Sequence, residues 1–190
     1  MNLKVLVGAS LLLILAGCFG GNSGTAETSP EGFHYYATED FRMLIPDEWD
    51  ILTPAHFSSS VPANTLVAFR SNIKGEKFTA NVVAVRNNLP EEISSRDYAQ
   101  AVFRKFSTEI VGFKEIEIKE DSIRVAGQDR ASLFIFAEGR ETPTGDVKRF
   151  IQRSGVNGKQ AFIVLGAFLA NESEEVTEKI RKMVESFEIK

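Results

Sequence analysis

The sequence predicts an α+β domain: an antiparallel sheet of about six to eight strands with helices on both faces, a three-layer α/β/α arrangement. Three observations predict it. Short apolar runs bounded by turn residues recur between residues 33 and 169. One of them, 78–86 (FTANVVAVR), is almost unbroken in apolar residues, the pattern of a strand covered on both faces. Two amphipathic stretches, 95–110 and 172–186, supply helices for that cover.

The chain has 190 residues, enough for one domain with a short appendage. Hydrophobic residues are 43% and charged residues 25%, so a core can form and global disorder is excluded. The formal charge is −4 and becomes −5 if the segment carrying Lys4 is removed, which gives no footprint for nucleic acid. A single cysteine excludes an internal disulfide framework and any CxxC metal or redox site.

The elements follow in order. Lys4 precedes the apolar run 5–17 (VLVGASLLLILAG), which is shorter than the about 20 residues of a spanning helix and fits a signal peptide over 1–17. Leu15-Ala16-Gly17-Cys18 resembles a bacterial lipobox. The resemblance implies that Cys18 carries diacylglycerol on sulfur, becomes the mature N-terminus and holds the chain to a lipid bilayer through several acyl chains. The protein is then expected at the cell membrane or outer membrane, with its domain on the extracytoplasmic side. Residues 18–32 continue as the lipidated cysteine and a Gly/Ser/Thr-rich tether with an r.m.s. reach of roughly 20 Å.

The folded domain is expected over 33–190. Strands 33–37 and 41–45 flank the polar turn Thr38-Glu39-Asp40, and Pro46 stops the second so that Trp49 packs back on the core. A loop with two prolines and three serines fills 53–64. Strands 65–71 and 78–86 surround Asn72-Ile73-Lys74-Gly75. Ser94 with Asp97 opens the first helix, whose Tyr98, Ala99, Val102, Phe103, Phe106 and Ile110 make one wide apolar face. Strands 113–118, 122–126 and 130–138 come next. Strands 147–156 and 159–169 flank Asn157-Gly158, read as a type I′ turn. Asn171 with Glu174 is expected to cap the last helix, which buries Val176, Ile180, Val184 and Phe187.

Several of these stretches together resemble the PsbP/Mog superfamily: "FRMLIPDEW" with its Pro-x-x-Trp corner, "FTANVVAV" before the helix "SRDYAQAVFRKF", the strand after "VAGQDR", the pair "VKRFIQRSGVNGKQAFIVLGAF" and the closing "KMVESFEI". The resemblance covers about residues 33–190. It implies a sheet flanked by helices and, for most members, accessory roles without enzymatic activity: photosystem assembly, small-GTPase binding, surface lipoproteins and secretion chaperones. Bacterial lipoproteins of the LpqN and DcrB kinds share the plan of an anchor followed by a domain. No metal or cofactor site carries over.

The chain's own chemistry is sparse. His34 and His56 show neither HxH nor HExxH spacing, so no metal site is expected, and no cofactor. GxSxG, SxxK and GxxxxGK are absent, and no catalytic residue is assigned; His56 beside Ser58-Ser59-Ser60 is the one arrangement that would serve a hydrolase. Two features could bind a partner. Loop 53–64 carries His56, Phe57 and Val61 among small polar residues. Residues 140–159 are locally basic, with Arg149 and Arg153 on one face of a strand. The expectation is a non-enzymatic, membrane-anchored accessory protein with a protein partner; a small-ligand or lipid-binding module using an apolar cleft between sheet and helix is the alternative, and a hydrolase the third reading.

Overall fold

The computed structural model describes residues 29–58 and 61–190. The signal peptide, Cys18 and most of the tether therefore lie outside the described residues, as do Ser59 and Ser60. Strands β1 (Phe33–Ala37), β2 (Phe41–Pro46) and β3 (Asp50–Leu52) lead through a 3₁₀ turn (Pro54–His56) to β4 (Thr65–Arg70) and β5 (Asn81–Asn88). Helix α1 (Ser95–Glu109) follows, then β6 (Val111–Val125), β7 (Gln128–Arg140), β8 (Lys148–Asn157), β9 (Gln160–Leu169), helix α2 (Glu174–Glu185) and β10 (Glu188–Ile189).

All ten strands join one sheet in the order β1-β2-β10-β6-β7-β8-β9-β5-β4-β3. Pairing is antiparallel except between β10 and β6. The two-residue β10 splices the chain's end between β2 and β6, pairing Glu188 and Ile189 with Arg42 and Phe41 on one side and with Arg124 and Val125 on the other.

This corrects the expected three-layer α/β/α domain of six to eight strands. The described domain is mostly β, a ten-stranded sheet curled into a half-barrel, and the two helices among the described residues do not form layers. Helix α1 touches β7, β8 and a little of β6, and α2 touches β2, β5, β8 and β9. The physical reason is the curl. It brings Tyr36 of β1 edge-on to Phe69 of β4, with ring centroids 5.2 Å apart, although those strands lie near opposite ends of the sheet. Arg86 of β5 likewise meets Asp40 of the β1–β2 turn at 2.8 Å. A sheet that folds toward itself covers its own apolar strands, so a full helical layer is not required.

The main core fills the α2 side of this curl. Phe41, Met43 and Ile45 of β2, Phe69, Val82, Ile123 and Phe134 meet Val176, Ile180, Met183 and Val184 of α2, with Phe187 just beyond it. Trp49 packs into the same cluster, as its Pro-x-x-Trp corner predicts. On the opposite strand positions of β7, Leu133, Ile135 and Ala137 pack instead with Ala99, Phe103 and Phe106 of α1.

Three local readings change. The expected strands 113–118 and 122–126 are one strand, β6, with register shifts near Val111–Lys114 and Glu115–Glu117. Its charged run Lys119-Glu120-Asp121 imitates a turn, but strands with an open side commonly carry such charges. The type I′ geometry sits at Ala126-Gly127, where both residues take positive φ (48° and 77°). At the β8–β9 hairpin Asn157 pairs with Gln160, so the turn residues are Gly158 and Lys159, and only Gly158 has positive φ. Finally, α2 is capped by Ser173, whose hydroxyl accepts from the Val176 N–H, and not by Asn171. Ser94 caps α1 as expected, accepting from the Asp97 N–H.

Candidate functional site

The structure separates the residues singled out in the sequence. His56 ends the 3₁₀ turn, and the Thr53 N–H donates to its Nδ1 at 3.2 Å. Phe57 and Val61 are half-buried on the loop that follows. His34 lies elsewhere, on β1, with Nδ1 2.7 Å from Asp47 Oδ1. Among the described residues no three His, Cys, Asp or Glu side chains gather as metal ligands.

Arg149 and Arg153 share one face of β8 but differ in surroundings. Arg149 is half-buried, with Nε 3.4 Å from Glu138 Oε2. Arg153 is only 8% exposed. Its Nε forms an ion pair with Asp121 at 2.8 Å, outside hydrogen-bond angles, while its terminal nitrogens donate to the carbonyls of Glu185 and Ser122. Arg153 therefore ties β8 to β6 and to the end of α2. The neighbouring basic residues are also engaged. Lys148 pairs with Glu141 and sits 3.9 Å above the Phe78 ring, and Lys77 meets Asp146 at 3.2 Å.

A different site opens on the α1 side of the sheet. Helix α1 leans on β7 and β8 and leaves β5 and β9 partly uncovered, so a cleft of about 400 Å³ runs beneath it. Its walls are Val85, Tyr98, Ala101, Val102, Phe106, Ile163 and Leu165, with Asn87, Gln152, Lys105 and Glu109 as the polar members. This volume falls within the range of small-molecule sites, which are mostly apolar with a few placed polar groups. It also shows why β5 is not buried on both faces: Val82 and Ala84 point into the main core, whereas Val83 and Val85 are only half-buried. A second recess, about 560 Å³, is lined by residues that include Glu76, Lys77, Asp146 and Asn171, and Lys77 pairs there with Asp146 at 3.2 Å.

The polar groups of the cleft comprise a side-chain relay, an unpartnered amide nitrogen and an ion pair at the mouth. Asn64 Nδ2 donates to Asn87 Oδ1 at 2.7 Å, and Asn87 Nδ2 donates to the Tyr98 hydroxyl at 2.8 Å. Tyr98 thus accepts in this relay, and its own O–H is not spent there. Burial pushes the Tyr98 phenol up, partly offset by the Asn87 hydrogen bond, so it stays a neutral donor. Gln152 is 2% exposed, and its Nε2 has no hydrogen-bond partner among the described residues. Ser154, two residues along the same strand face, is also buried with an unpartnered Oγ. At the mouth, the exposed Lys105 and Glu109 neutralise one another at 3.7 Å.

Sequence reasoning offered an apolar cleft between sheet and helix as the alternative but assigned it no residues, because Tyr98, Val102 and Phe106 read as part of one wide apolar face. The available signal was Gln152 and Ser154, two polar residues at period two inside the apolar strand FIQRSGV.

No family model and no curated protein matches this sequence. Solved structures do. The cyanobacterial PsbP (CyanoP) of Synechocystis is 13% identical with a TM-score of 0.54, over 86% of this chain and 96% of that one. LpqN of Mycobacterium tuberculosis, involved in cell envelope biogenesis, is 17% identical with a TM-score of 0.54, over 78% and 82%. Protein PA94 of Pseudomonas aeruginosa, of unknown function, is 14% identical with a TM-score of 0.51, over 81% and 94%. At these identities the likeness shows the fold alone: the described domain has a PsbP-like fold.

Proposed function

We propose that this chain is a non-enzymatic accessory lipoprotein of the cell envelope, anchored through diacylglyceryl-Cys18, that presents its PsbP-like domain to a protein partner. The observation that carries the reading is the sequence Leu15-Ala16-Gly17-Cys18 followed directly by a Gly/Ser-rich tether and then one folded domain. The LpqN likeness supports an envelope setting, since that protein is described as acting in cell envelope biogenesis. The candidate partner contacts are loop 53–64 with His56, Phe57 and Val61 and, apart from it on β8, Arg149. Arg153 is kept out of the test because its guanidinium braces the fold.

The test is crosslinking at the membrane followed by pull-down. One saturable partner is expected, lost when loop 53–64 is shortened or Arg149→Glu is introduced; recovery of nothing above background overturns the reading. Cys18→Ala separates the anchor from the partner. It is expected to leave the domain folded and release it from the membrane fraction or block its maturation, and normal processing with continued membrane association would remove the lipoprotein assignment. The α1 cleft favours a second reading, a module that binds a small apolar or lipid ligand.

A further inference from the structure

We infer that the α1 cleft binds a neutral acyl ester, with the ester carbonyl accepting a hydrogen bond from Gln152 Nε2 and the chain lying against Val85, Val102, Phe106 and Leu165. This rests on the ligand-binding reading of the cleft and names its chemistry.

The argument starts from the unpartnered amide. A buried polar group without a partner costs about 1–3 kcal/mol, so native proteins rarely leave one at the wall of a cavity unless something else satisfies it. Gln152 lines the cleft, is 2% exposed, and lacks a partner for Nε2 among the described residues. An N–H donor calls for an acceptor oxygen, and the Tyr98 O–H adds a second donor from the helix side of the cleft. The remaining walls are apolar, so the acceptor must arrive on a largely hydrocarbon ligand.

The acceptor must also be uncharged. A carboxylate brought to Gln152 would be buried without a buried cation, which is strongly unfavourable. The cleft's single cation, Lys105, is exposed at the mouth and already beside Glu109 at 3.7 Å. An ester carbonyl loses far less on burial and uses the donor fully. The relay from Asn64 through Asn87 to Tyr98 holds the Tyr98 ring in place before a ligand arrives, which reduces the ordering cost of binding.

The experiment compares two ligands that differ only in the carbonyl, below their micelle concentrations. Isothermal titration calorimetry of the purified full-length chain would use 1-dodecanoylglycerol, its ether analogue 1-dodecylglycerol, and dodecanoate. The ester should bind saturably and about tenfold more tightly than the ether, the size of one buried hydrogen bond. Dodecanoate should bind more weakly than the ester. Gln152→Leu should make ester and ether equal, and Ala101→Trp, an exposed position at the cleft wall, should abolish both while thermal unfolding stays two-state. Saturable binding with ester and ether equal in the wild type, or an unchanged ester preference in Gln152→Leu, overturns the carbonyl assignment and leaves an apolar ligand site. Tighter binding of dodecanoate than of the ester overturns the neutral-ligand assignment. Absence of saturable binding, or binding indifferent to Ala101→Trp, overturns the ligand reading itself.

Discussion

The α2 face and the α1 face of the sheet are built from alternate residues of the same strands, yet they are packed to different standards. On the α2 face the rings of Phe41, Phe69, Phe134, Phe162, Phe168 and Phe187 are all buried in one cluster. On the α1 face Phe103, Phe106, Val102 and Ile163 are only partly buried, across two smaller clusters. That second face also holds the polar atoms Gln152 Nε2 and Ser154 Oγ without partners. The difference teaches that stability and recognition are divided across the thickness of one sheet. A face packed to crystal-like density has no room for a ligand, and a face with room contributes less to the fold.

The largest effect expected from this division is on global stability. Phe187 is fully buried between β2 and α2, with its ring 5.2 Å from that of Phe41. Phe187→Ala should cost about 3–5 kcal/mol in urea unfolding, from lost transfer free energy plus the cavity left behind. Phe106 makes comparable ring contacts, with Phe113 at 6.0 Å and Phe150 at 5.2 Å, but is only partly buried. Phe106→Ala should cost no more than about 2 kcal/mol. Equal losses would break the comparison.

A smaller and sharper effect lies at Gly166 on β9. A Cβ there would stand 2.2 Å from Ile180 Cγ2, and a β-branched side chain on a helix has little rotamer freedom with which to yield. Gly166→Ala should therefore destabilise by about 1–3 kcal/mol through overpacking. Ile180→Leu, which removes the opposing methyl, should restore part of that loss in a double-mutant cycle. Additive effects would show that the α2 face is looser than its packing implies.

Much of this contrast was hidden in the sequence for physical reasons. Most strands, though neither β3 nor the continuity of β6, were legible with the Trp49 corner, the Ser94 cap and the apolar face of α2, because each depends on residues within one or two turns of the chain. The curl was not, since it depends on Tyr36 meeting Phe69 and Asp40 meeting Arg86 across the whole sheet. Nor was β10, whose two residues are too short to carry a period yet join β2 to β6. The Ala126 turn was hidden because alanine rarely takes positive φ. At the cleft, the stripe of α1 disclosed that an apolar face exists but not how much sheet lies under it. The two arginines of β8 looked equivalent by spacing, and only the third dimension separates the half-exposed Arg149 from the inward Arg153.

The smallest expected effect uses pH to address one face alone. Glu117 of β6 is held below the usual carboxylate range, first by the hydrogen bond from Lys119 and then by Arg181, against an opposing burial effect. Its oxygens lie 2.9 Å from Lys119 Nζ and 3.1 Å from Arg181 Nη1, and Arg181 in turn covers the Phe134 and Phe136 rings from α2. A lowered folded pKa means that folding favours the ionised form. The stabilisation is therefore complete above the unfolded value of about 4.3 and is lost as pH falls through the lower folded value. Because the carboxylate is about one third exposed, water screens the pair, and the contribution should stay below about 1 kcal/mol. On the α1 face Tyr98 has the opposite sense. Its raised pKa favours the neutral phenol, so that stabilisation is complete below the unfolded pKa and is lost only as pH rises through the folded one. Glu117→Gln should then lower stability at neutral pH, with the deficit shrinking toward zero on acidification, while Tyr98→Phe should leave the acid limb unchanged and alter only the alkaline one. Thermal unfolding of both variants across pH reads this directly, and an acid-limb change in Tyr98→Phe would mean that the two faces do not titrate independently.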